Sequence, residues 1–156
     1  MSMSATVNLA DFDAMIDGMA SEVAAALRPA AQAGAQVLYD AVLTNVRSLH
    51  KVTGNLERSI YQAFSADNSG PLLATYHISW NARKAPHGHL VEYGHLQRYE
   101  ITYDPKTKRF TTHKDRPLPV PKHVAAHPFV RPAVSRMPAA VDAATNELYR
   151  RLHFTS

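Results

Sequence analysis

Three histidines and a glutamate crowd one short stretch, His87, His89, Glu92 and His95, with His127 further along the chain. Imidazole and carboxylate are common ligands of divalent ions, which need three or four of them converging at about 2.0–2.2 Å. A helical turn over 92–95 puts Glu92 and His95 on one face. The spacing is not the His-Glu-x-x-His of the zinc proteases, however, and a His-Gly-His segment is a weak ligand frame. The expectation is solvated or hydrogen-bonded histidines beside a packing motif and no metal site. A His-dependent metalloenzyme is the lesser alternative.

Other bond-making arrangements are missing from the sequence. It has no Gly-x-Ser-x-Gly, and Ser59 and Ser135 fall in helix-like patterns. The six glycines are scattered rather than gathered into a phosphate-cradling loop. Glu57, Glu92, Glu100 and Glu147 sit in separate segments, so no pair is set up for acid–base work. With no cysteine, thiolate chemistry and disulfides are excluded. The sequence therefore predicts no catalytic residue, no cofactor and no enzyme.

Basic residues are densest at Lys106, Lys108 and Arg109, with Lys114 and Arg116 close by and Tyr99, Tyr103 and Phe110 interleaved. A basic, aromatic ribbon can track phosphates. Lysines on a hairpin also deter edge-to-edge pairing. The formal charge of +4 permits non-specific proximity to DNA, and a small basic DNA-binding protein is the alternative function.

The elements that must position these groups follow from periodicity. Leu9, Phe12, Ile16, Met19, Val23 and Leu27 step by three and four, with Asn8 as a cap, and predict a helix over 8–28 that makes up the N-terminal segment 1–29. Pro29 is expected to kink or break it. Ala30, Ala33, Val37, Leu38, Val42, Val46 and Leu49 resume the pattern at once. Thr53-Gly54-Asn55-Leu56-Glu57-Arg58-Ser59-Ile60 reads as a new helix capped by Thr53, with Leu56 and Ile60 on one face. Leu72 to Trp80 alternates and predicts a strand, which completes a 30–94 unit.

Segment 95–126 reads as a hairpin and arm. Tyr99, Ile101 and Tyr103 alternate with polar residues, Asp104 to Lys108 turn, and Arg109 to His113 return. Pro117, Pro119 and Pro121, alternating with Leu118, Val120 and Lys122, predict an extended, polyproline-like connector. In 127–156, Val134, Met137, Val141, Ala144, Leu148 and Leu152 predict the inner face of a C-terminal helix. The whole is one α+β domain: a long kinked helix, a small antiparallel sheet with a protruding hairpin, and a last helix. A hydrophobic fraction of 46% fits a packed fold. No run nears the roughly 20 apolar residues of a membrane span, and Met1 to Thr6 lacks the marks of a signal peptide. The expected setting is a cytoplasm. Glu92, a charge among Leu90, Val91 and Tyr93, calls for a partner, with Arg131 or Arg58 as candidates.

Over residues 30–152 the chain resembles the tail-completion or head–tail joining proteins of tailed bacteriophages, the small neck proteins grouped with the lambda Z-type minor tail protein. The resemblance is carried, in order, by Thr53-Gly54-Asn55-Leu56-Glu57-Arg58-Ser59-Ile60, the strand ending at Trp80, Val91-Glu92-Tyr93-Gly94, and Pro128-Phe129-Val130-Arg131-Pro132-Ala133. The helix at 8–28 and the hairpin with its Pro-rich connector add to the family pattern. The resemblance implies a non-enzymatic virion part that completes the tail top and joins it to the head. It implies a homo-oligomeric ring around the DNA channel, a hexamer matching the tail, assembled in the host cytoplasm beside other neck and tail proteins. Within such a ring, Leu118, Val120, Tyr99, Tyr103 and Phe110 are the expected subunit contacts, and Lys106, Lys108 and Arg109 are expected to face DNA.

Overall fold

The computed structural model describes residues 9–49 and 53–152, with side chains from Ile16 onward. Asn8, read above as a helix cap, lies outside the described residues, as do the side chains of Leu9 and Phe12. The fold is α+β. A 40-residue helix α1 (Leu9–Ser48) leads into a short α2 (Asn55–Ser59) and strand β1 (Ile60–Phe64). Then come β2 (Tyr76–Trp80), α3 (Gly88–Tyr93), β3 (His95–Asp104) and β4 (Arg109–Val124). A 3₁₀ turn over Arg131–Arg136 opens into α4 (Met137–Arg151).

The helix α1 does not end at Pro29 but runs through it. Proline removes one backbone donor, yet Ala26 and Ala30 on either side are both buried, and packing on both sides outweighs one missing bond. Ala26, Ala30 and Gly34 form a buried row of small side chains at four-residue spacing. Across from it, a Cβ on Gly34 would lie 2.8 Å from the Ala140 carbonyl oxygen and 3.2 Å from the Ala144 Cβ, so α1 and α4 pack almost backbone to backbone.

That close approach corrects the reading of α4. Ala133, in the preceding 3₁₀ turn, and Ala140 are buried; of the predicted inner face, Ala144 packs on Gly34 and Leu148 and Leu152 are half-buried, while the first three residues turn out. Val134 is 63% exposed and Val141 55%, with Met137 exposed between them. The helix thus carries two apolar faces: a small-residue face turned inward and a large-residue stripe turned out.

Segment 53–64 also departs from the expected helix. The helix lasts five residues, and Ile60, the intended partner of Leu56 on its face, is already extended and starts β1. This strand pairs antiparallel with β2 in the register Ile60↔Trp80 to Phe64↔Tyr76. The expected strand over 72–80 is shorter at its start, and Leu72 and Leu73 lie exposed in a turn.

The connector of three prolines is a strand. β4 continues from Arg109 to Val124 and folds back along β3. The ladder has two matched stretches, His95–Gln97 against Lys122–Val124 and Glu100–Asp104 against Arg109–His113, with register shifts between them. Pro119 and Pro121 fall in the unmatched middle, and Pro117 stands at its edge opposite Tyr99. A two-stranded ribbon has only edge strands, and proline is tolerated at edges and bulges, where no ladder donor is lost.

Candidate functional site

The sequence motifs meet in one core. Val42 and Val46 of α1, Leu56, Ile60, Ala85, Phe129 and Ala133 are buried together, with Trp80, Ile78, Val91 and Val130 packed around them. Phe129 is 0% exposed and stands edge-on to Trp80, ring centroids 5.6 Å apart. Asn45 on α1 donates its side-chain amide to the Phe129 carbonyl at 2.9 Å. Trp80 in turn covers α3: any Cβ on Gly88 would collide with its indole, so this helix must start with glycine to seat there.

Glu92 is the buried charge of this hub, 1% exposed. Its Oε2 accepts the backbone N–H of Phe129 at 2.7 Å and of Val130 at 3.0 Å. Its Oε1 accepts the Arg131 backbone N–H and the Arg131 Nε, each at 3.1 Å. Arg131 Nη2 closes the loop by donating to the Glu92 carbonyl at 2.7 Å, and its guanidinium lies 5.1 Å from the centre of the Tyr93 ring. Three backbone donors at the opening of the 3₁₀ turn are thereby satisfied by one side chain from another element. Burial pushes the Glu92 carboxyl up, but the N–H donors of Val130, Phe129 and Arg131 and the Arg131 side chain together hold it below its usual range. Of the two candidate partners, Arg131 is the one that meets Glu92. Arg58 instead donates to the Thr53 carbonyl and the Asn55 Oδ1.

Two glycines shape the edges of the hub. Gly54 has φ +70° and occupies the cap position expected of Thr53, whose Oγ1 accepts the Asn55 N–H at 3.3 Å. Gly94 has φ +72°, and a Cβ there would lie 2.7 Å from the Val124 oxygen and 2.8 Å from the Ala126 nitrogen. It is the point where α3 hands over to the arm while touching the arm's returning end. Pro128 and Pro132 flank the clasp, and the His127 N–H donates to the Val91 carbonyl at 2.8 Å.

Among the described residues no group of three His, Asp or Glu side chains could hold a metal ion. His87 is held below its usual range, by burial first and then by His89. His95 Nδ1 is buried with no hydrogen-bond partner. An open depression of about 420 Å³ between α1 and β1 is lined by Gln32, Gln36, Tyr39, Tyr61, Gln62 and Tyr76 among others, without an acid or an imidazole. In a second one, Glu147 is clasped by Arg150 and Arg151 and pushed down to about 2.

The arm is the other candidate surface. Every residue from 98 to 112 is exposed. Strand alternation and the pairing Tyr103↔Phe110 put Tyr99, Ile101, Tyr103 and Phe110 on one face, with the Tyr103 and Phe110 ring centroids 4.8 Å apart. Glu100, Thr102, Asp104, Arg109 and His113 share the other. Val120 is 77% exposed and Leu118 half-buried. Lys106 and Lys108 stand in the turn at the tip, Lys108 with φ +53°.

Sequence reasoning missed Asn45, Ala85 and the Arg28 guanidinium stacked 4.2 Å over Phe64, none of which has a local signal. It also missed how charge is divided, which simple counting reveals. Segment 95–124 has seven Lys and Arg against three Asp and Glu, a net +4, while the rest of the chain has ten of each sign. No family model matches this chain, and neither does a curated protein or a solved structure.

Proposed function

We propose that this chain is a structural subunit of a tailed-bacteriophage neck, a tail-completion or head–tail joining protein that forms a ring around the DNA channel. The observation that carries the reading is the arm: an antiparallel ribbon with Tyr99, Ile101, Tyr103 and Phe110 exposed on one face. Large apolar side chains held in water on an extended element mark an interaction surface rather than a core. A second support is that the pieces carrying the family resemblance, separated by tens of residues in sequence, share one hub around Glu92 and Phe129. The buried carboxylate is consumed in holding that hub, so it serves shape.

In this role the chain contacts copies of itself and other neck and tail proteins, has no cofactor, and meets DNA as a non-specific neighbour. Particles assembled without the protein, viewed by electron microscopy, are expected to accumulate as separate filled heads and finished tails. Joined, infectious particles in its absence would refute the reading. The placing of the entire net charge on the arm favours one rival, a small DNA-binding protein. That rival requires tight, salt-dependent binding of short duplexes by the free chain.

A further inference from the structure

We infer that the arm of one copy docks along the N-terminal half of α1 of a second copy, Tyr99, Ile101, Tyr103 and Phe110 covering Ile16 and Met19 while Lys106 and Lys108 at the arm's tip meet the helix's acids and the other basic residues add long-range attraction. The inference rests on the reading above in taking the partner to be another copy of this chain, and it names the two surfaces that form the joint.

Four observations converge. Residues 16–22 of α1 are exposed all round, Ile16 and Met19 included, and space around Gly18 is open. Residues 98–112 of the arm are likewise exposed, so neither surface is covered by the described residues of the same chain. The charges are equal and opposite: residues 9–27 hold Asp11, Asp13, Asp17 and Glu22 and no Lys or Arg, a net −4, against +4 on segment 95–124. The lengths agree too, since β3 at ten residues spans about 34 Å and residues 9–27 as helix about 28 Å.

The stripe of Val134, Met137 and Val141 on α4 is a poorer seat for the arm, because Arg136 and Asp142 beside it cancel. Opposite potentials steer encounter and fix register, and the aromatic face supplies the apolar contact. The two surfaces differ, so the contact is head-to-tail: each copy offers an arm to one neighbour and a helix to the other, and the chain of copies closes into a ring if the rotation allows.

The test uses the full-length chain in sedimentation velocity, with circular dichroism to confirm folding. The wild type is expected to self-associate in low salt and to dissociate as salt screens the exposed charges. Lys106→Glu/Lys108→Glu/Arg109→Glu reverses the arm, and Asp13→Lys/Asp17→Lys/Glu22→Lys reverses the helix. Each alone is expected to weaken self-association by about tenfold or more, because like charges then face each other. Mixing the two restores it, since each reversed surface finds its complement on the other variant. As the chain has no cysteine, Tyr103→Cys mixed with Met19→Cys should give a disulfide-linked pair that neither forms alone to the same extent.

A wild type that stays monomeric in low salt at millimolar concentration overturns the proposal, as does a mixture that fails to associate. Association untouched by both reversals overturns this contact and leaves the ring reading standing. If a DNA duplex is what the arm grips, the arm-reversed variant loses DNA retention while self-association is unchanged, and the proposal fails. Particles that join normally without the protein overturn the ring reading and leave the solution contact standing.

Discussion

Glu92 and Arg131 hold each other at two points, Arg131 Nε on the Glu92 carboxylate at 3.1 Å and Arg131 Nη2 on the Glu92 carbonyl at 2.7 Å. Because the same carboxylate also receives three backbone N–H groups, its loss orphans more than one residue. Glu92→Gln keeps the shape but turns an NH₂ group toward donors. It is expected to lower unfolding free energy by about 2–4 kcal/mol in urea titration. Arg131→Lys, at an exposed guanidinium, should cost about 1 kcal/mol. Equal effects of the two would contradict the assigned roles.

The same carboxyl sets a pH dependence. Its folded value lies below its unfolded one, so the native state binds fewer protons and stability falls as pH falls. The contribution is complete above the unfolded value near about 4.3 and disappears as pH drops through the folded value. Urea midpoints measured from pH 6 down to pH 3 should fall for the wild type and fall less steeply for Glu92→Gln. Parallel curves would count against this linkage.

Gly34 and Ala140 mark where α1 and α4 nearly touch. Gly34→Val is expected to cost about 2–3 kcal/mol, because the atom it strikes is backbone rather than a side chain that can rotate away. Val141→Ser, on the outer stripe, should change the stability of the isolated chain by less than about 0.5 kcal/mol. A large loss for Val141→Ser would mean that the stripe is covered within one chain.

Gly54 and Gly94 share a positive φ but differ in surroundings. At Gly54 the nearest atoms belong to the flexible Arg58 side chain, so Gly54→Ala should cost about 1 kcal/mol, mostly for the left-handed backbone. Gly94→Ala adds a collision with backbone atoms of 124 and 126 and should cost at least twice as much. Thermal or urea unfolding of the pair separates conformational strain from crowding.

Replacing residues 98–116 by a short Gly-Ser linker should leave the urea midpoint of the body nearly unchanged, since the residues removed are almost all exposed. Under the proposed neck role, the same chain should also fail to complete particles. Unfolding of the body on this deletion would show that the ribbon is part of the core.

What could be read from the sequence was set by how local the physics is. The three- and four-residue spacing from Ile16 to Val46 is a property of α1 alone, and the turn at Asp104 to Lys108 is written in its residue types. Glu92 needed only the rule that a buried charge finds a partner, and Arg131 was among the named candidates. Ile60 was misjudged because one four-residue step after Leu56 fits a helix as well as the entry to a strand. The face of α4 was read rightly at Ala144, Leu148 and Leu152 but wrongly at Val134, Met137 and Val141, because periodicity gives weight to large side chains whereas Gly34 on the opposite helix admits only small ones. The prolines of β4 misled because the rule against them holds for central strands, and a two-stranded ribbon has none.

The unbroken run of α1 has a mechanical corollary. A load applied at its N-terminal end travels about 50 Å along a single rod to Val42 and Val46 in the core, with no loop on the way to absorb it. The weakest section of that rod is the turn at Pro29, where one rung of the hydrogen-bond ladder is missing. A bending load on α1 would therefore flex the helix there before it disturbed the clasp around Phe129.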